Sequence, residues 1–147
     1  IGTFGHGFTY SGHPVPAAVA LETLKIYDEI DLVARVKRAS VPFLKRLHGF
    51  ADHPLVGETM GVGLVGAVEL VADKAARTPF APVGRTGAHL VACAQAHGLI
   101  VRQLGDRIAF SPPLIISDTE IATMFDRFAA ALDDTADWLA GGGLTGN

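Results

Sequence analysis

The chain has 147 residues, 49% of them hydrophobic and 18% charged, with a formal net charge of −3. That is one domain's worth of sequence with apolar content for a real core; it argues against a wholly disordered chain and gives no general attraction to nucleic acid or an anionic membrane. No apolar run approaches the roughly 20 residues of a membrane span, and the single cysteine, Cys93, excludes an internal disulfide framework and fits a reducing cytoplasm.

The chain opens at Ile1, almost inside its most specialised loop, so a preceding segment is expected. That loop is FGHGFTYSGHP, residues 4–14. Gly5, Gly7 and Gly12 leave backbone amides exposed, Thr9 and Ser11 add hydroxyl donors, and a helix start follows. Donors of this kind at a helix N-terminus hold phosphate. The same residues also suit a plain irregular turn, and no G-K-[ST] follows to make a P-loop. Both readings stand on pattern alone.

Pro14 fits the first turn of a helix, where its missing N–H costs nothing. The run PVPAAVALETLKIYDEI places Ala17, Ala20, Leu21, Leu24 and Tyr27 on one face and Glu22, Lys25 and Glu29 on the other. Its alanine-rich face predicts close packing on a neighbour. A second helix is predicted over 31–48, with Val33, Val36, Phe43, Leu44 and Leu47 inward and Arg35, Lys37, Arg38, Lys45 and Arg46 outward. Pro42 should kink or split it, and Gly49 should cap it.

From Leu55 the period changes. VGLVGAVELVA, residues 62–72, carries apolar residues on both faces with Glu69 alone charged, and reads as a largely buried strand or strands. It overlaps a literal G-x-G-x-x-G at Gly61, Gly63 and Gly66. The context rejects a dinucleotide site. Such glycines must follow a strand and open a helix, whereas these run into a strand pattern with no acidic residue at the required distance. Close packing or a bulge explains them better.

A Pro-containing loop, KAARTPFAPVG, leads to a third helix at 85–97, stopped by Gly98. LIVRQ and RIAFS then form two short strands around Gly105 and Asp106, a hairpin signal. Pro112 and Pro113 end the second strand. Ser117 and Glu120 form an S-x-x-E capping box for a last helix to about residue 139, with Ile121, Met124, Phe125, Phe128, Leu132 and Leu139 as its apolar stripe. The glycine-rich tail, 141–147, is expected to be disordered. This order predicts an α+β fold: a small antiparallel or mixed sheet with helices packed on one side.

Little of the titratable inventory points to chemistry. His6 and His13 share a loop with no evident third ligand, so no metal site is expected. Cys93 lies on an apolar helix and reads as a small core residue. No G-x-S-x-G elbow is present. Arg102, flanked by apolar residues near the end of a short strand, is different. A buried or half-buried guanidinium needs an anion. Pattern leaves three possibilities: a structural salt bridge, an edge-strand arginine facing water, or a fork for a substrate carboxylate.

HGFTYSGHP with its alanine-rich helix, GVGLVGAVELV, and GLIVRQLGDRIAFSPPLIIS together resemble the class III aminotransferases. These are fold-type-I enzymes dependent on pyridoxal phosphate. The likeness covers nearly the whole chain except the glycine tail, and its third stretch is most similar to omega-transaminases that use pyruvate as acceptor. It implies the C-terminal small domain of such an enzyme: residues 1–13 as a cofactor-phosphate loop at the dimer interface, 14–140 as the small domain with its linking helix, then the tail. It implies that Thr9 hydrogen-bonds the cofactor phosphate in the neighbouring subunit's site, in a homodimer or larger assembly. Phe8 would line that shared site, and Arg102 would pair with the carboxylate of an amino or keto acid.

The chain departs from the family pattern at Met60, where an arginine is common. The lysine that forms the cofactor's Schiff base belongs before HGFTYSGHP, yet the first lysine here is Lys25. No catalytic residue is therefore assigned, and this chain alone is expected to be inactive. For the intact protein the resemblance implies amino transfer from an amine or amino acid to a keto acid, with neither nucleic acid nor membrane as partner. The alternatives are an aminomutase or decarboxylase of the same fold, or a non-catalytic interaction module.

Overall fold

Prolines start the first helix and fail to stop the second. The computed structural model describes Gly2, Gly5 and residues 7–144; readings that involve His6 and residues 145–147 lie outside the described residues. The chain divides into two compact units between Arg35 and Val36. In the first unit, α1 (Pro14–Glu29) begins on Pro14 and is capped by His13, whose Nδ1 accepts from the Val15 N–H at 3.2 Å. None of its residues is buried, so the alanine-rich face predicted to pack closely stands exposed. The first unit supplies no second layer to cover it.

The second helix, α2 (Leu32–Gly49), runs unbroken through Pro42, against the predicted split. Proline in a helix interior costs about 3 kcal/mol. Ala39 on one side of it, and Phe43 and Leu47 on the other, are buried in one core cluster. Burying each large side chain returns about 1.5–3 kcal/mol, which carries the helix across the fault. Val33, predicted inward, is exposed. Gly49 does not act as a left-handed cap either: its φ of −60° is helical, and the chain continues into a 3₁₀ turn at Phe50–Asp52.

The single strand read from VGLVGAVELVA is the turn and second arm of a hairpin. β1 (Val56–Val62) pairs antiparallel with β2 (Val65–Leu70), and Gly63, at φ 59°, opens the two-residue turn between them. The glycine comes first in the turn, the position a type II′ hairpin loop requires. Gly61 and Gly66 are register partners, and both lie against α2. This is the close-packing role expected of the G-x-G-x-x-G residues.

After α3 (Arg85–Ala96), a second hairpin joins β3 (Arg102–Leu104) to β4 (Arg107–Phe110), again through a glycine-first turn at Gly105. The four strands form one antiparallel sheet in the order β1-β2-β4-β3. α4 (Asp118–Ala140) starts at the predicted capping box: the Ser117 side chain accepts from Glu120 N–H, while Glu120 Oε2 accepts from Ser117 N–H at 2.8 Å.

One apolar cluster fills the second unit. Val68, Leu70, Ile108 and Phe110 of the sheet meet Phe43 and Leu47 of α2, Leu90 and Ala94 of α3, and Ile121, Phe125, Phe128 and Leu132 of α4. Phe110 stands edge-on to Phe128, with centroids 4.9 Å apart. Alternation along the strands leaves the other sheet face to Glu58, Met60, Glu69, Arg107, Ala109 and Arg102. The architecture is the α+β layer that the sequence predicts. Of the tail predicted to be disordered, Gly141–Leu144 form turns, and Leu144 packs against the core.

Candidate functional site

The residues implicated by the sequence fall in both units. Thr9 and Phe8 lie in the first. Ser11 N–H donates to the Phe8 carbonyl at 3.0 Å and His13 N–H to Tyr10 at 3.1 Å, folding residues 8–13 into consecutive turns. Phe8 and Thr9 are exposed, and the Thr9 hydroxyl makes no hydrogen bond among the described residues.

The helix that follows offers no anion hole. Pro14 and Pro16 have no N–H, the Val15 N–H is taken by His13, and the Ala17 N–H donates to the His13 carbonyl at 3.2 Å. The first turn of α1 is thus spent before a phosphate could reach it. Any anion held here rests on loop donors, chiefly the hydroxyls of Thr9 and Ser11, and not on the helix terminus that the sequence suggests.

Arg102 lies in the second unit, at the start of β3 rather than near the end of a strand, and it is exposed. It makes no ion pair among the described residues. The ion pair on this sheet face belongs to Arg107 and Glu69, register partners 3.0 Å apart. Arg102 is aligned across the sheet with Ala109, Ala67 and Met60. Its immediate row neighbours are therefore small.

Arg102 also lines an open cleft of about 780 Å³, with Ile100, Ser111, Pro113, Ile116 and Met124 among the walls. It is the one charged residue among those lining this cleft. A mostly apolar cleft with a single fixed cation suits a small molecule that joins an apolar body to a carboxylate.

Two features escape the sequence pattern. Asp106, read there only as a turn residue, is buried and hydrogen-bonds the start of α3. The available signal was a helix opening on Val-Gly-Arg with no Ser, Thr, Asp or Asn to cap it. On α3 and its C-cap, His89, Cys93 and His97 stand four residues apart. Cys93 Sγ lies 3.4 Å from His89 Nε2, and His97 Nε2 lies 2.7 Å from Asp134 Oδ2. These contacts form no metal-binding cluster among the described residues. Cys93 packs against the core as predicted, and burial pushes its thiol pKa up, away from nucleophilic character.

The chain belongs to the class III aminotransferases: the family described as aminotransferase class-III matches residues 1–132. It is 47% identical over 135 residues to gamma aminobutyrate transaminase 3, chloroplastic, of Solanum lycopersicum, covering 92% of this chain and 26% of that protein. It is 46% identical over 136 residues to the putrescine–pyruvate aminotransferase of Pseudomonas aeruginosa, covering 92% of this chain and 30% of that one. A solved structure described as a transaminase with L-Ala matches with a TM-score of 0.87 and 51% identity, over 94% of this chain and 32% of that chain. The omega-transaminase of Pseudomonas jessenii in complex with PMP gives a TM-score of 0.87 and 48% identity, over 95% and 31%. The chain thus spans about a third or less of the relatives it matches.

This family depends on pyridoxal phosphate, and the residues present fit one part of that group. An exposed, unengaged Thr9 hydroxyl can donate to a phosphate oxygen. Lys25, the first lysine, lies on α1 and pairs with Glu22 at 2.9 Å.

Proposed function

We propose that the intact protein is a pyridoxal-phosphate-dependent aminotransferase that moves an amino group from an amine or amino acid to a keto acid, with pyruvate the favoured acceptor. Membership of the class III family supports the reaction class. The exposed Arg102, a lone cation on a mostly apolar cleft, carries the assignment of a keto-acid acceptor. When bound, pyridoxal phosphate supplies an electron sink for the carbon that gives or receives the amino group.

The residues of this chain bind and orient. Thr9 donates its hydroxyl hydrogen to the phosphate, in the active site of a neighbouring subunit, which makes the working unit at least a dimer. Phe8 lines that shared site. Arg102 holds the substrate carboxylate in a two-pronged contact, fixing which end of the molecule faces the reacting carbon. Proton transfer needs a lysine that the family pattern places before HGFTYSGHP, where this sequence has none.

The test compares acceptors in the full-length holoenzyme. Arg102→Ala should lower kcat/KM for pyruvate far more than for propanal, which has the same carbon count and no carboxylate. Equal losses for both would refute the assignment.

A further inference from the structure

The turn that follows Arg102 is bolted to the start of α3. Asp106, 8% exposed, accepts from Gly84 N–H through Oδ2 at 2.7 Å and from Gly87 N–H through Oδ1 at 2.8 Å. Gln103 Nε2 donates to the Gly84 carbonyl at 2.7 Å and to the Gly105 carbonyl at 2.9 Å. Gly84 is the N-cap of α3, at φ 86°, with no side chain of its own to serve as cap. The Asp106 carboxylate does that work from across the fold, at the positive end of the helix. The fit is tight: a Cβ on Gly87 would sit 2.3 Å from the Gly105 carbonyl oxygen.

β3 is a three-residue edge strand. So short a strand frays readily unless something holds it. The clamp grips its far end, while the segment before it, from Leu99 to Val101, has no strand structure. Gln103 pairs with the buried Ile108 and faces the core. Arg102 pairs with Ala109 and faces the other way. Gln103 borders the same cleft as Arg102, but its amide N–H groups are given to the Gly84 and Gly105 carbonyls. It therefore acts on the guanidinium through the backbone.

We propose that Asp106 and Gln103 are positioning residues for Arg102: their clamp holds β3 in register and aims the guanidinium into the cleft, so that they set the preference for acceptors bearing a carboxylate. This rests on the role of Arg102 given above. The clamp itself is a contact between the turn and the helix and involves no substrate.

The experiment measures the ratio of kcat/KM for pyruvate to that for propanal in the full-length holoenzyme. Hydrogen exchange at the Gly84 and Gly87 amides is followed in parallel. The variants are Arg102→Ala, Asp106→Asn, Gln103→Met and the double variant Arg102→Ala/Asp106→Asn. Asp106→Asn and Gln103→Met should each lower the ratio about tenfold, on the scale of one misplaced charge-assisted hydrogen bond. Exchange at the two glycine amides should quicken.

Because the clamp works through Arg102, adding Asp106→Asn to Arg102→Ala should lower the ratio no further. A general loss of stability would not give that pattern. If Arg102→Ala leaves the ratio unchanged, the carboxylate reading has failed. If Arg102→Ala lowers it while the clamp variants keep the wild-type ratio, or while glycine exchange stays slow, the positioning proposal alone is overturned. Should Asp106→Asn fail to fold, Gln103→Met decides the matter by the same two readouts.

Discussion

Gly66 lies directly against Leu47: a Cβ added to the glycine would stand 2.5 Å from the leucine's Cδ2 and 3.2 Å from Phe43 Cε1. Both neighbours are fully buried. Alanine in a strand interior gains about 0.5–1 kcal/mol over glycine from backbone entropy. Overpacking a filled core costs about 1–3 kcal/mol. Gly66→Ala should therefore destabilise the protein, read as a lower urea midpoint at unchanged slope. A higher midpoint would mean that α2 can withdraw from the hairpin at little cost.

Thr9→Ala removes the one side-chain donor that the resemblance assigns to the cofactor phosphate. Since the first turn of α1 holds no spare N–H, no nearby helix amide can replace it. Retention of pyridoxal phosphate by the full-length enzyme should weaken roughly tenfold or more, on the scale of a hydrogen bond to a charged group. Absorbance of bound cofactor after dialysis measures this, and wild-type retention would remove Thr9 from the site.

Burial holds the His53 imidazole below its ordinary pKa of 6.5, against the opposing pull of Asp133. As pH falls through 6.5, the unfolded chain takes up this proton before the folded one does. The contribution of His53 is full above that pH and is lost progressively below it. The thermal midpoint should fall between about pH 7 and about pH 5. His53→Gln should flatten that fall, and an identical slope in both proteins would show that other groups cause it.

Burial also raises the Cys93 thiol pKa, outweighing a hydrogen bond from Thr135 that acts the other way. Thiolate is thus scarce at neutral pH. Iodoacetamide should alkylate Cys93 about tenfold more slowly than free cysteine, and unfolding should abolish the difference. Fast alkylation of the folded protein would contradict the burial of this thiol.

The legible parts of the fold were those with local chemistry to announce them. Ser117 and Glu120 specify the start of α4 within four residues, and Gly98 and Gly105 mark a helix end and a turn by their demand for positive φ. The β1–β2 turn hid itself. Its second residue, Leu64, is apolar and buried, so it reads as strand and gives no polar turn signal. Pro42 misled in the opposite sense, because a local rule about helices was outweighed by burial on both sides of it. At the candidate site, Arg102 could be found from pattern and resemblance. The Asp106 clamp could not, since its partners Gly84 and Gly87 lie about 20 residues upstream and are joined to it by the fold alone.

The antiparallel pairing of β3 with β4 makes the side on which Arg102 emerges a question of odd and even. Leu104 opposite Arg107, and Arg102 opposite Ala109, fix the count across a two-residue turn. One residue inserted or lost between Arg102 and the turn would exchange the sheet faces of Arg102 and Gln103, sending the guanidinium to the face of Ile108 and taking the amide from its Gly84 and Gly105 partners. A deletion there is thus far harsher than a substitution. The hairpin's arithmetic protects the cation's address as firmly as any side chain does.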